Sequence, residues 1–290
     1  MKSVLGVYSN PNSHWVGDGF PVRSLFSYNT FGDSISPFLL LDFAGPHLFE
    51  PAAFPRGVGE HPHRGFETVT LVYDGEVSHR DSSGNGGTIG PGDVQWMAAA
   101  SGILHEEFHS PGFTRSGGPF RMIQLWVNLP ARFKMVPPAY QAIVAASIPV
   151  VTLPLDSGQL RVIAGEFSGT SGPARTFSPV NMWDLSLRAG SALGLELPEG
   201  HTAILVVLAG HITVGDNHGA GEAEFVLLER AGTMVRFRAD GEAKVLVLTG
   251  EPIDEPIAGY GPFVMNSQTE IREAIRDLQA GLFGRIPPAD

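Results

Sequence analysis

The period of apolar and polar residues changes only once along the chain, near its C-terminus. Before that point, apolar runs of strand length alternate with Gly, Asn, Asp and Pro, a pattern typical of short β-strands separated by turns. In the first half, such runs predict strands at residues 38–43, 68–73, 94–97 and 121–127. The second half repeats the pattern at residues 182–187, 203–208, 211–214 and 244–248.

The C-terminal segment has a helical period instead. Ser267 is followed three residues later by Glu270, which is the spacing of a capping box at a helix start. Apolar residues then recur at helical spacing, and two glycines mark the end: Ile271, Ile275, Leu278 and Leu282, then Gly281 and Gly284. We expect one amphipathic helix of about four turns, whose apolar stripe docks on a barrel.

The two halves also share their turns, which indicates an internal repeat. Residues 73–77 can be aligned with 208–212, and residues 91–93 with 231–233. A proline-containing segment, from residue 129 to about residue 146, lies between the halves. The predicted fold is therefore all-β: two tandem antiparallel β-barrels at residues 1–135 and 136–266, followed by a helix and tail at residues 267–290 that pack back on a barrel.

Composition narrows the classes of function. Hydrophobic residues make up 43% of the 290 residues and charged residues 17%, which is typical of a globular protein. The net charge of −11 disfavours direct binding to nucleic acid. The absence of cysteine excludes disulfides, thiol nucleophiles and Fe–S clusters, so metal chemistry would need histidines and carboxylates. With no apolar leader and no apolar run of roughly 20 residues, we expect a cytoplasmic protein without a membrane span.

Two short motifs carry candidate metal ligands. In an extended chain, residues two apart point to the same face, so His61 and His63 would share a face, and Pro62 favours that geometry. By the same parity His105 and Glu107 share a face. If both strands line one barrel, three imidazoles and one carboxylate can converge on one divalent ion. These ligand types suit Fe, Mn, Ni, Cu, Co or Zn and do not choose among them.

The competing interpretation is that these histidines are structural or solvated, because a His-x-His pair occurs by chance in many proteins. The second pair, His-x-Glu, lies at the right distance for a return strand and follows Gly-rich turns, and this favours the metal site.

Several motifs resemble the cupin superfamily and, more specifically, the pirin family. They are HPHRGFE at 61–67, PGDVQWM at 91–97, GILH at 102–105, QLWVNL at 124–129 and GPFVMN at 261–266. The resemblance implies a bicupin of two antiparallel barrels, with iron as the first expectation for the metal. It implies the ligands His61, His63, His105 and Glu107, and it places Glu67 outside the ligand set, where we expect a hydrogen-bonding role.

The internal repeat predicts a single metal per chain. Its alignment places Glu196 and Pro198 at the positions of His61 and His63, and Val245 and Val247 at those of His105 and Glu107. The second barrel should therefore hold no metal. The remaining histidines are expected to be structural or on the surface (His14, His47, His79, His201, His211 and His218), with His109 on the surface.

The resemblance also implies an activity, since some pirin-like proteins cleave the flavonol quercetin with dioxygen and release carbon monoxide. The substrate would be a small aromatic or enolic compound that binds the metal through its 3-hydroxyl and carbonyl oxygens, and Glu107 would act as ligand and base. Apolar residues would form the pocket wall: Phe66, Trp96, Met97, Ile103 and Phe108. The alternatives are a metal-dependent regulatory protein that acts through a protein partner, and a purely structural bicupin.

Overall fold

The computed structural model describes residues 1–288, which contain 26 strands and three α-helices. The strands before residue 145 are β1 (Val4–Ser9), β2 (His14–Val16), β3 (Phe20–Ser27), β4 (Phe38–Phe49), β5 (Gly57–His63), β6 (Phe66–Asp74), β7 (Val77–Asp81), β8 (Gly86–Ile89), β9 (Val94–Ala98), β10 (Ile103–His109), β11 (Gly118–Asn128) and β12 (Ala139–Ile143). Those that follow are β13 (Val150–Thr152), β14 (Gly158–Ala164), β15 (Glu166–Phe167), β16 (Thr170–Ser171), β17 (Val180–Leu187), β18 (Ala192–Glu196), β19 (Thr202–Ala209), β20 (His211–Val214), β21 (His218–Gly221), β22 (Glu224–Leu228), β23 (Met234–Ala239), β24 (Ala243–Gly250), β25 (Ala258–Tyr260) and β26 (Phe263–Met265). The helices are α1 (Tyr28–Phe31), α2 (Pro111–Ser116) and α3 (Gln268–Gln279). The all-β class and each strand predicted above are confirmed.

The chain divides into two compact units. We call the first the N-terminal unit; its described part comprises residues 12–24, 39–145 and 253–288. Its larger sheet has the strand order β12-β9-β6-β11-β4-β3-β2, and a four-stranded sheet has the order β5-β10-β7-β8. Buried side chains of both sheets, such as Val72 and Met122 in the first and Val77 and Ile89 in the second, form one apolar cluster. The two sheets therefore pack face to face, with the core between them.

The other unit, which we call the C-terminal unit, comprises residues 1–11, 25–38 and 146–252. Its sheets have the orders β1-β22-β19-β24-β17-β14-β13 and β18-β23-β20-β21. Its core again draws on both sheets, for example Leu205 and Val247 from one and Leu193 and Phe237 from the other. The first strand, β1, pairs with β22, so the C-terminal unit includes residues from the beginning of the sequence as well as from its second half.

The predicted barrels are not closed. In each unit the strands form separate seven-stranded and four-stranded sheets instead of one continuous cylinder of paired strands. The apolar face of each sheet is covered by the other sheet, so burial of the core does not require hydrogen bonding around a full circle.

Helix α3 begins at the predicted capping residue. The Ser267 Oγ accepts a hydrogen bond from the Glu270 backbone N–H at 3.3 Å, and the Glu270 carboxylate accepts from the Asn266 N–H at 3.0 Å. The helix buries Ile271 and Ala274 in a small cluster with Phe263, Met265 and Phe283 of the same unit. Of the helices within residues 1–288, none has the length and apolar character that a membrane crossing requires.

Candidate metal centre

Two neighbouring strands of the N-terminal unit bring the three predicted histidine ligands together. Strands β5 and β10 pair antiparallel, with His105 opposite His61 and Ile103 opposite His63. The register shifts between His105 and Glu107, which leaves Glu107 opposite Val58. Alternate side chains of β10 are buried, from Ile103 through His105 and Glu107 to His109, so His105 and Glu107 share the inward face as their spacing predicts.

The three imidazoles form one cluster. The ring centroids lie 4.2 Å apart for His61 and His105, 4.8 Å for His63 and His105, and 4.9 Å for His61 and His63. One nitrogen of each ring lies within 4.8 Å of the others. A single ion with metal–nitrogen bonds of about 2 Å can join three such rings after small side-chain rotations.

Each of these rings has a nitrogen that makes no hydrogen bond to the protein. The Nδ1 of His61 lies 2.8 Å from the Gly59 carbonyl, so Nδ1 is the donor and the Nε2 lone pair is uncommitted. The Nδ1 of His63 and the Nε2 of His105 are buried and have no hydrogen-bond partner. Buried polar atoms without a partner are costly, and a metal ion would satisfy both, so these residues fit a transition metal.

Electrostatics keep two of the rings in the form that binds a metal. Burial, and next the neighbouring His61, lower the pKa of His63 to about 3. Burial, followed by the nearby His63, His61 and His79, holds the pKa of His105 well below its usual value. Both rings are therefore neutral at pH 7, as ligation requires.

Glu107 is not a member of the compact group that His61, His63 and His105 form. It is 3% exposed, and its carboxylate belongs to a second compact group with His79 and His105. The Nε2 of Gln95 donates to the Glu107 Oε1 at 3.2 Å and lies at the same distance from the Nδ1 of His79. Gln95 thus orients the carboxylate beside the three-histidine cluster.

Strand β7 supplies two residues that the sequence did not mark as part of the site. His79 and Asp81 alternate inward with Val77 and are 1% and 0% exposed. The Nε2 of His79 lies 3.2 Å from the Asp81 carboxylate, and the Tyr140 ring stacks on the His79 ring with centroids 5.0 Å apart. His79 is thus buried and is not on the surface. The inward parity of residues 77, 79 and 81 is the sequence signal that could have identified it.

Glu67 has the hydrogen-bonding role that was expected. Its carboxyl accepts a bond from the Trp96 indole Nε1 at 2.8 Å, and both side chains are buried. Burial raises the pKa of Glu67 to about 8, although the bond from Trp96 acts in the opposite direction. This carboxyl is therefore largely protonated at pH 7.

Most of the predicted pocket residues are buried, namely Phe66, Trp96, Met97 and Ile103. The Phe66 ring meets the His63 ring edge-on at 5.2 Å and stacks on Trp126 at 4.2 Å, and Trp126 also contacts His63. Met97 and Ile103 form a small cluster with Ala99, against which Tyr140 packs. Phe108 is only partly buried. Sequence reasoning missed Trp126 and Tyr140, whose partners are set by strand register.

The structure also shows the surroundings of His109 and of the two valines that the internal repeat aligns with His105 and Glu107. The prediction that His109 lies on the surface is wrong: it is 2% exposed, its Nε2 donates to the Gly19 carbonyl at 2.9 Å, and phenylalanine rings surround it, because it continues the inward parity of β10. In the C-terminal unit, Val245 and Val247 are fully buried members of the apolar core.

Comparison with known proteins places these features in a family. The pirin model matches residues 19–127, and the model of the pirin C-terminal cupin domain matches residues 182–284. A Pseudomonas aeruginosa protein named "Putative quercetin 2,3-dioxygenase" is 60% identical over 285 residues, which cover 98% of this chain and 99% of that protein. A "Pirin-like protein" of Solanum lycopersicum is 35% identical over 98% of this chain and 92% of its own length.

A solved structure agrees with these matches. The crystal structure titled quercetin 2,3-dioxygenase from Acinetobacter baumannii superposes with a TM-score of 0.96 at 55% identity, and it covers 99% of this chain and 100% of that one. The matched segments include both strands that carry the three-histidine cluster. The chain belongs to the pirin family.

Proposed function

We propose that the N-terminal unit binds one divalent transition metal through His61, His63, His105 and Glu107, and that the loaded protein cleaves a flavonol or a related enol with dioxygen. The observation that carries the proposal is the cluster of three imidazoles, two of which have a buried nitrogen without a hydrogen-bond partner. The names of the relatives in Pseudomonas and Acinetobacter support the choice of a quercetin-type substrate.

The bound ion would lower the pKa of a coordinated enol hydroxyl and offer positions for oxygen ligands. We expect iron, but imidazole and carboxylate ligands also suit Mn, Ni, Cu, Co and Zn. The C-terminal unit, whose matching strand carries Val245 and Val247, would bind none.

Glu107 would take the substrate's hydroxyl proton on a carboxylate oxygen. Its position suits this role, since it is buried beside His105 and Gln95 donates to its Oε1, which leaves Oε2 for the proton. Two aromatic side chains contact the His63 ring, the buried Phe66 and the partly buried Trp126, and they would exclude water from that side of the reacting centre. His61 is the half-buried member of the cluster, so substrate would enter from its side.

The test begins with metal-free protein loaded anaerobically with each of the six metals. Elemental analysis gives occupancy, and dioxygen uptake and carbon monoxide release with quercetin give activity. We expect one metal per chain and uptake with at least one metal. Full occupancy without uptake for every metal would refute the dioxygenase and leave a metal-binding pirin.

Matched variants locate the site. His63→Ala should lose the metal and remain folded, because each unit has its own large core. His109→Gln, which changes another buried histidine of β10, should retain it. Full occupancy in His63→Ala would show that the site is elsewhere.

A further inference from the structure

A row of three buried side chains runs behind the proposed metal centre. The Asp81 carboxylate lies 3.2 Å from the Nε2 of His79, and the Nδ1 of His79 lies 3.4 Å from the Nδ1 of His105. Asp81 and His105 are 0% exposed and His79 is 1% exposed. Water therefore does not compete for these contacts. A proton shared between Asp81 and His79, or between His79 and His105, must come from one of the two side chains.

Asp81 fixes the first proton. Its Oδ1 accepts hydrogen bonds from the backbone N–H groups of Ser83 at 2.8 Å and Asn85 at 3.1 Å, which hold the carboxylate in place. A carboxylate only accepts, so the Nε2 of His79 is the donor. In a neutral imidazole the other nitrogen is then an acceptor.

Gln95 supports the same assignment for His79. The Tyr140 hydroxyl donates to the Gln95 Oε1 at 3.4 Å, so the Gln95 amide presents its NH₂ group to the Nδ1 of His79 at 3.2 Å. An NH₂ group needs an acceptor there. The contact with Asp81 and the contact with Gln95 therefore both indicate that the Nδ1 of His79 carries a lone pair and no proton.

The proton of His105 follows from this lone pair. If its Nδ1 also carried a lone pair, two lone pairs would face each other at 3.4 Å, and the proton would sit on Nε2, which has no acceptor. A buried donor without a partner destabilises the folded protein. With the proton on Nδ1, His105 donates to the Nδ1 lone pair of His79, which it shares with the Gln95 NH₂ group, and no ring proton of His105 is left without an acceptor.

We propose that His79, held by Asp81, is a positioning residue that keeps the ring proton of His105 on Nδ1 and so reserves the Nε2 lone pair for the metal. The proposal rests on the metal centre proposed above. A carboxylate–histidine pair behind a ligand also strengthens that ligand as an electron donor.

The Asp81→Asn variant tests the direction in which the hydrogen bonds run from His105 through His79 to Asp81. Its Oδ1 would stay with the two backbone N–H groups, so the NH₂ group would take the place of Oδ2 and donate to the Nε2 of His79. The His79 proton would then move to Nδ1, and the His105 proton would be driven to Nε2, where the metal binds. This is the same tautomer reversal that an Asp→Asn change produces in a hydrolase triad.

The first measurement needs no metal. Long-range ¹H–¹⁵N correlation spectra of histidine-labelled, metal-free protein report which ring nitrogen carries the proton, and His105→Gln assigns the signal. We expect Nδ1–H for His105 in the wild type and Nε2–H in Asp81→Asn. Nε2–H in the wild type, or no change in Asp81→Asn, would overturn the proposal.

The second measurement is nickel(II) affinity by competition with a chelator. We expect about 10–100-fold weaker binding in Asp81→Asn and in His79→Leu, as for other residues behind metal ligands. His79→Gln, whose carbonyl can accept from His105, should retain more affinity than His79→Leu, and the control His109→Gln should bind as the wild type. Equal affinities for His79→Leu and His109→Gln would overturn the positioning role.

The two measurements separate the two proposals. A wild type that shows the Nδ1–H tautomer, lost in Asp81→Asn, but binds no metal would support the assignment of His79 and refute the metal centre. A wild type that binds metal, but whose His105 carries its proton on Nε2 before loading, would support the metal centre and refute the assignment of His79.

Discussion

Replacing Glu67 by glutamine should make the protein more stable at neutral and alkaline pH and leave it nearly unchanged in mild acid. Burial raises the pKa of Glu67 from 4.5 to about 8. Between these values the folded protein keeps the proton and the unfolded chain loses it, so the free energy of unfolding falls as pH rises through this window. A glutamine side chain has the shape of the protonated carboxyl, and its carbonyl can still accept from Trp96.

The magnitude follows from the shift. One pKa unit corresponds to about 1.4 kcal/mol. From pH 4.5 to pH 7 the wild type should therefore lose about 3 kcal/mol relative to Glu67→Gln, and by pH 8.5 about 4 kcal/mol. Near pH 4.5 the two proteins should agree within about 1 kcal/mol, since the carboxyl and the amide both accept the Trp96 bond.

Urea unfolding of metal-free protein at pH 5, 6, 7 and 8 measures this difference. Metal must be removed because its binding is itself pH-dependent. Because the chain has two units, the unfolding of the N-terminal unit is followed by the fluorescence of its Trp96 and Trp126. The same measurement in a Trp183→Phe background removes the signal of that tryptophan of the C-terminal unit. Glu196→Gln, at an exposed position, is the control and should show no such trend. A difference between wild type and Glu67→Gln that is independent of pH, or that favours the wild type at pH 8, would refute the reasoning.

Three further outcomes are expected. Ser267→Ala removes the side-chain cap of helix α3 and should cost about 1 kcal/mol of stability, measured by thermal unfolding; Ser267→Asp, which keeps an acceptor, should not. Gly102→Ala should be clearly destabilising, because Gly102 has φ +127° and a Cβ there would lie 2.6 Å from the Phe283 ring; stability equal to wild type would show that the ring moves freely. Adding nickel(II) at 100 times its Kd should raise the free energy of unfolding of the wild type by about 2.7 kcal/mol and leave His63→Ala unchanged, as measured by urea unfolding with and without metal.

The local sequence pattern was sufficient to predict the features that depend only on residues close together in the chain. The strands, the cap at Ser267 and the shared face of His105 and Glu107 each follow from spacing alone, and the structure has all of them. The cluster of His61, His63 and His105 needed in addition that β5 and β10 pair, which the family motifs implied.

The rest depended on register and topology, which spacing does not determine. His79 and Asp81 show inward parity, but only the pairing of β7 with β10 places His79 beside Glu107 and Asp81 beside His105. Likewise, the surface prediction for His109 failed because its apolar surroundings come from distant segments, including Phe20 and Phe120.

The pairing of β1 with β22 has a consequence for how the protein is made. The partners of Val4–Ser9 in the sheet, Glu224–Leu228, are synthesised more than 200 residues after that strand. The C-terminal unit therefore cannot complete its sheet until most of the chain exists, and contacts of such long range slow folding. Until β1 arrives, β22 is an unpaired apolar edge, which is a site for association with other chains. A fragment that starts at residue 146 would keep this edge exposed permanently, so the C-terminal unit should be produced for study with residues 1–11 and 25–38 supplied.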